Sequence, residues 1–125
     1  MPTVADYAVL RDEPIEISAG STFETPFFFA PEGFVAGTNL ARAILAYKAE
    51  PIPLAPFGAI AEFEIQRGIA DSIELIRLRS ATPHGLWESF PATGFGANIG
   101  TSFRFIMRIG RVRFSDIVLW YQVRV

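Results

Sequence analysis

The chain contains no cysteine, and it has one histidine and one lysine in 125 residues. Without cysteine there is no disulfide framework, no thiolate nucleophile and no Cys-ligated zinc or iron–sulfur site, so folding does not depend on an oxidising compartment. His84 stands alone. No G-x-S-x-G or similar context supplies the nucleophile that a Ser–His–Asp site requires. His84 and Glu88 could offer two metal ligands at i, i+4, but the segment between them is not convincingly helical and no third ligand is evident. The spacing of Gly94, Gly96 and Gly100 misses the dinucleotide fingerprint and no βαβ pattern surrounds it. No D-x-D-x-D-G run marks a calcium loop. Glu62 and Glu64 share a strand face and read as a charged exterior rather than as a glycosidase pair. No cofactor, no metal and no catalytic residues are therefore expected, and the chain does not read as an enzyme.

Long apolar runs are also missing. No stretch approaches the length of about 18 apolar residues that a membrane-spanning helix needs. The opening "MPTVADYAVLRDEP" has neither the basic start nor the apolar run of a secretory signal. Positive charge is scarce as well. The net charge is −2, with three basic and nine acidic side chains in residues 1–66 against eight basic and four acidic in residues 67–125. Nucleic-acid binding calls for a larger basic excess. Ten of the eleven cations are Arg, the cation that protein interfaces favour. Self-association with acidic and basic faces meeting is one consequence, and ordinary surface charge is the other.

What remains is a chain that is 50% hydrophobic and 19% charged, a composition that folds. Its length suits one domain spanning 1–125. Strand signals dominate. "AEFEIQR" alternates Phe63 and Ile65 against Glu62, Glu64 and Gln66. "SFRFIMRIG" sets Phe103, Phe105, Met107 and Ile109 against Arg104 and Arg108. "DIVLWYQVRV" places Ile117, Leu119, Tyr121, Val123 and Val125 on one face, with Val118, Trp120, Gln122 and Arg124 on the other. Such period-2 spacing marks half-buried antiparallel strands. Segments 40–48 and 72–79 fit strand or helix, with strand favoured for the first and a bulged strand or a short helix for the second. Pro26 confines "STFETPFFF" to an edge or bulge. Pro51, Pro53 and Pro56 make a stiff connector unsuited to a central strand. The expected fold is all-β: one antiparallel β-sandwich, jelly-roll or Ig-like, of about seven to eight strands. Residues 102–109 and 116–125 should pair, with "GRVRFS" as their connection or a bulged continuation of the first. A long aromatic and glycine-rich loop is expected at 80–101.

Function is then sought on surfaces. Phe27, Phe28 and Phe29 cannot all be buried on one sheet face. Trp120 shares its nominally solvent face with Arg124, and the loop carries Trp87, Phe90 and Phe95. Together with Arg104 and Arg108 these form the expected partner interface, since apolar patches on soluble proteins mark binding surfaces. The alternative is a carbohydrate-binding module, with loop aromatics stacking on sugars beside His84, Glu88 and Asn98.

The order of "IEISAGSTFETPFFF", "LARAILAYK", "EFEIQRG", "IELIRLRSAT", "FRFIMRIG" and "DIVLWYQVRV", with its Gly20-Ser21-Thr22-Phe23 turn, resembles small β-sandwich modules of tailed-bacteriophage virions. The chain departs from them at Ser21, where an acidic residue is usual, and in the loop at 80–101. The resemblance implies a structural virion protein of the tail, baseplate or capsid-decoration type. It would be a homo-oligomer that contacts other structural proteins and is assembled in the host cytoplasm.

Overall fold

The computed structural model describes residues 2–35, 42–52, 61–67, 72–78, 84–91 and 100–125, with residues 51, 72–78 and 84–91 as backbone. The elements are β1 (Thr3–Arg11), β2 (Ile15–Ser18), β3 (Thr22–Glu24), β4 (Arg42–Pro51), β5 (Ala61–Arg67), β6 (Ser72–Leu78), β7 (His84–Pro91), β8 (Phe103–Ile109) and β9 (Arg111–Arg124). Among the described residues every element is a strand and every pairing is antiparallel. The first sheet has the order β1-β9-β4-β7, and β2 continues the line of β1 along the other half of β9. The second has the order β3-β8-β5-β6.

Taken in chain order, the pairs are nested: β1 and β2 with β9, β3 with β8, β4 with β7, and β5 with β6. This is one long antiparallel hairpin rolled into two facing sheets, which is the jelly-roll topology rather than the Ig-like one. Segments 42–51 and 72–78 are strands, not helices. The irregularity in the latter lies where Ile65 faces Glu74 and Gln66 faces Ser72, so Ile73 is the extra residue.

The core between the sheets follows from the period-2 patterns. Ala61, Phe63 and Ile65 of β5 point inward with Phe103, Phe105 and Met107 of β8. They meet Ala43, Leu45 and Tyr47 of β4 and Ile117, Leu119 and Tyr121 of β9. Aromatic rings fill the centre. Phe63 and Phe114 meet edge to face with centroids 4.8 Å apart, Phe105 and Phe114 at 5.0 Å, and Phe23 stacks on Phe105 at 4.6 Å. These offset and edge-on geometries add to the burial gain of the rings themselves.

Four expectations change. The stretches 102–109 and 116–125 do not pair, because Gly110, at φ 80°, turns the chain from one sheet to the other. Within "GRVRFS", residues 111–115 therefore open β9. Residues 84–91 of the expected loop form β7, the outer partner of β4. Pro51 is the final residue of β4, an inner strand, and sits at its end where Val112 faces it. Ile109 is 48% exposed, since the register slips between Glu62 and Phe63 and carries it past the core.

β2 is pinned by charge. Glu16 Oε2 accepts from Arg111 Nη2 at 2.7 Å, and Glu16 Oε1 accepts from Arg113 Nη2 at 2.8 Å and Arg113 Nε at 3.2 Å. The Arg113 hydrogen bonds lead in holding the Glu16 carboxyl below its ordinary range; desolvation opposes them, and the hydrogen bond and charge of Arg111 with the charge of Arg113 complete the lowering. A depressed carboxylate contributes stability above its unfolded pKa and loses it as pH falls through the folded value. The urea midpoint should therefore drop on acidification below about 4.5, and Glu16→Gln should lack that component. Added salt should shrink the difference, because the group is exposed. In the core, Phe114→Ala should lower unfolding free energy by about 3–5 kcal/mol, read from urea melts at unchanged slope.

Candidate interaction surface

The two outer faces of the sandwich differ. On the second sheet, the outward residues of β3, β8 and β5 alternate in sign and answer one another. Arg104 lies opposite Glu24 and Gln66, with its Nη2 3.9 Å from Glu24 Oε1. Arg108 Nη2 donates to Glu64 Oε2 at 2.6 Å, and Gln66 Nε2 donates to Glu64 Oε1 at 3.1 Å. Ser102 Oγ donates to the other partner, Glu24 Oε1, at 2.9 Å. Individually such exposed pairs add little stability. As a set they match the arginines of β8 to glutamates of β3 and β5.

The first sheet is divided. Its lower half carries the Glu16–Arg111–Arg113 clasp, Glu50 3.9 Å from Arg113, and the Lys48–Asp116 pair at 3.4 Å. Its upper half carries apolar cross-strand rows. One cross-strand row runs Tyr7, Trp120, Ile44, Ser89, and the next runs Val9, Val118, Ala46, Trp87. Tyr7 and Val9 are each 55% exposed, and the Tyr7 and Trp120 rings lie 5.1 Å apart at 41°. Beside them Ala5, Arg42, Ile44, Trp120, Tyr121 and Gln122 line a depression of about 310 Å3. The Tyr121 ring turns into the core, where burial and then the nearby Asp6 charge push its phenol above the ordinary tyrosine value.

The residues expected at a partner interface do not form one surface. Trp120 and Arg124 lie on the outer face of the first sheet, as the alternation required. Arg104 and Arg108 lie on the opposite side of the sandwich, engaged with Glu24 and Glu64. Phe28 belongs to the core and not to an interface: it is 7% exposed, and its ring packs 5.1 Å from Tyr121. The reason is a two-way main-chain bridge with Thr101, N–H to carbonyl at 2.7 and 2.9 Å, which turns Phe28 inward and its neighbours outward. Phe27 and Phe29 are 65% and 56% exposed, their rings 6.3 Å apart over Gly100. A Cβ on Gly100 would sit 2.8 Å from the Phe29 ring, so a larger residue there would displace this exposed aromatic pair. Trp87 and Phe90 occupy β7 opposite Ala46 and Ala43. Phe95 lies outside the described residues.

Tyr7, Val9 and Ile44 complete the patch around Trp120 and were not expected there. The signal was present in "TVADYAVLR", where Ala5, Tyr7 and Val9 alternate with Val4, Asp6, Ala8 and Leu10. Both sets are largely apolar, so the alternation carries little contrast.

No protein-family model matches the chain, and no curated protein matches it. Among solved structures it is similar to the arabinose-bound α-L-arabinofuranosidase MgGH51, at 11% identity and a TM-score of 0.49 over 94% of this chain and 22% of that one. It is also similar to the structure of infectious bursal disease virus, Gx strain, at 10% identity and a TM-score of 0.45 over 98% of this chain and 32% of that one. The chain thus spans a minor part of either neighbour.

Proposed function

We propose that the protein is a structural assembly subunit that works through protein–protein contacts made by the upper outer face of the first sheet. The observation that carries this reading is the contrast between the two outer faces. One matches the arginines of β8 to glutamates of β3 and β5, and the other presents Tyr7, Val9, Ile44 and Trp120 in adjacent cross-strand rows. Aromatic anchors on a β-branched surface, rimmed by Arg42, Gln122 and Arg124, have the composition of an interface centre and its rim. The finer reading is a tailed-phage virion component of the tail, baseplate or capsid-decoration type, present as a homo-oligomer beside other structural proteins. It draws on the strand order of the sequence and on the jelly-roll topology, which serves viral capsid and lectin domains alike.

Sedimentation velocity across a concentration series tests the assembly reading. The wild-type chain should associate, and Trp120→Ala or Tyr7→Ser should weaken association by about tenfold or more. Arg104→Ser, on the other face, should leave it unchanged. A chain that stays monomeric at every concentration and binds no particle protein overturns the reading. Mass spectrometry of purified particles tests the virion context.

The carbohydrate reading retains one specific observation, the depression where Trp120, Arg42 and Gln122 meet. An indole can stack on a sugar face while a guanidinium and an amide bind hydroxyls. A glycan array should then give hits that vanish with Trp120→Ala, and an empty array removes this alternative.

A further inference from the structure

We infer that β1 is an edge built to pair with β1 of a second copy, so that the two first sheets join across a twofold axis at Ala8. This deepens the assembly reading and rests on it. A sheet edge exposes unpaired main-chain groups, and proteins blunt such edges with short strands, proline and charge. Two of the other edge strands are blunted in this way, whereas β7, of eight residues, ends on Pro91 and β6 runs for seven. β3 has three residues and stops before Pro26. β2 follows Pro14 and carries the Glu16 clasp. β1, at nine residues the longest edge strand of either sheet, has no proline between Thr3 and Arg11 and carries the single acid Asp6.

The backbone fixes which groups the edge offers. Val125 N–H donates to Pro2 O at 3.2 Å, so even-numbered residues of β1 exchange bonds with β9. Tyr7 N–H, on an odd residue, donates instead to Asp6 Oδ1 at 2.8 Å. Ala5, Tyr7 and Val9 therefore aim their N–H and C=O groups at the open edge. An antiparallel copy bonds these odd residues when odd faces odd. With the axis at Ala8, Tyr7 meets Val9 of the second copy on the outer face, an aromatic–β-branched pair of the kind that stabilises sheets. The small Ala8 side chains face each other at the axis.

Charge selects this register. The β1–β9 pairing slips between Val9 and Arg11, so Leu10 and Arg11 together stand where one residue would. In the copy, that doubled position lies opposite Asp6, and the pairing places Asp6 against Arg11 at both ends. Arg11 Nε donates to Glu13 O at 3.0 Å, which holds the guanidinium at the strand end. The local Asp6–Tyr7 bond is exchanged for an Asp6–Arg11 contact and an inter-chain main-chain bond. The apolar rows containing Tyr7 and Val9 then continue from one copy into the next.

Amide hydrogen exchange on the full chain, at concentrations below and above the association midpoint, reads this directly. Tyr7 and Val9 amides should slow by about tenfold or more in the associated form. Val9→Pro removes an edge donor without touching the β9 ladder. It should leave a folded chain by circular dichroism and abolish association. Asp6→Arg or Arg11→Asp should each weaken association, and the double reversal should restore it. An associated form whose β1 amides exchange as in the monomer overturns the edge pairing and leaves the assembly reading standing. So does a folded Val9→Pro chain that still associates. Absence of association at every concentration overturns both, and failure of the double reversal to recover overturns the register.

Discussion

The bulge at Asp116 governs the rest of the molecule. β9 is 14 residues long and pairs with β1, β2 and β4. Strict alternation would send Phe114 and Ile117, three positions apart, to opposite faces. Asp116, at φ 51°, takes the left-handed conformation and absorbs the extra residue, so both side chains are fully buried. Asp is among the few residues that tolerate this geometry, and its carboxylate meets Lys48 on the neighbouring strand. Phe114 thereby joins Phe63, Phe105 and Tyr47 at the centre, while Ile117, Leu119 and Tyr121 fill the upper core.

The same bulge draws the boundary on the outer face. Before it the outward residues are Arg111 and Arg113, paired with Glu16. After it they are Val118, Trp120, Gln122 and Arg124. One strand thus serves two surfaces of different chemistry, and the change between them costs a single strained residue. The break in the opposing edge, at Asp12 to Pro14 between β1 and β2, falls at the same level. Clasp and apolar patch are therefore each held by their own segment of the N-terminal edge.

What was legible in the sequence was the alternation of β5, β8 and the last ten residues of β9, since each sets large apolar side chains against charged ones. The sheet to which a strand belongs was not legible. "RIGRVRF" reads the same whether Gly110 closes a hairpin or turns the chain across the core, because both need a residue with positive φ. Nor could β7 be read from "HGLWESFP", where Gly85 and Pro91 stand at the ends and no polar–apolar alternation survives. Its identity as a strand comes from the eight-residue register with β4, a long-range pairing. The phenylalanine triplet gave half its answer. Alternation requires that neighbours diverge, but it cannot say that Phe28 turns inward until Thr101 is known to face it. Trp120 was placed correctly because its own strand sets the face; Tyr7 and Val9 were missed because β1 is apolar on both sides.

Edge and face meet at Tyr7. Its ring lies against Trp120 on the outer surface, and its N–H is bonded to the exposed Asp6 carboxylate at the open edge. Elsewhere on the described surface Glu24, Glu64 and Glu16 answer arginines, and β2 and β3 are short strands beside prolines. A sandwich with 19% charged residues has limited means to cover two outer faces, and the ion pairs between described residues lie on the second sheet and the lower half of the first. The upper corner is left with aromatic and branched side chains on its face and, along its rim, main-chain groups that pair with no described strand. In water each of these carries a cost, the face through apolar hydration and the edge through exposure to pairing. In the proposed edge pairing a second copy of the chain would relieve both at once, because the strand that offers main-chain hydrogen bonds also carries the side chains that need cover.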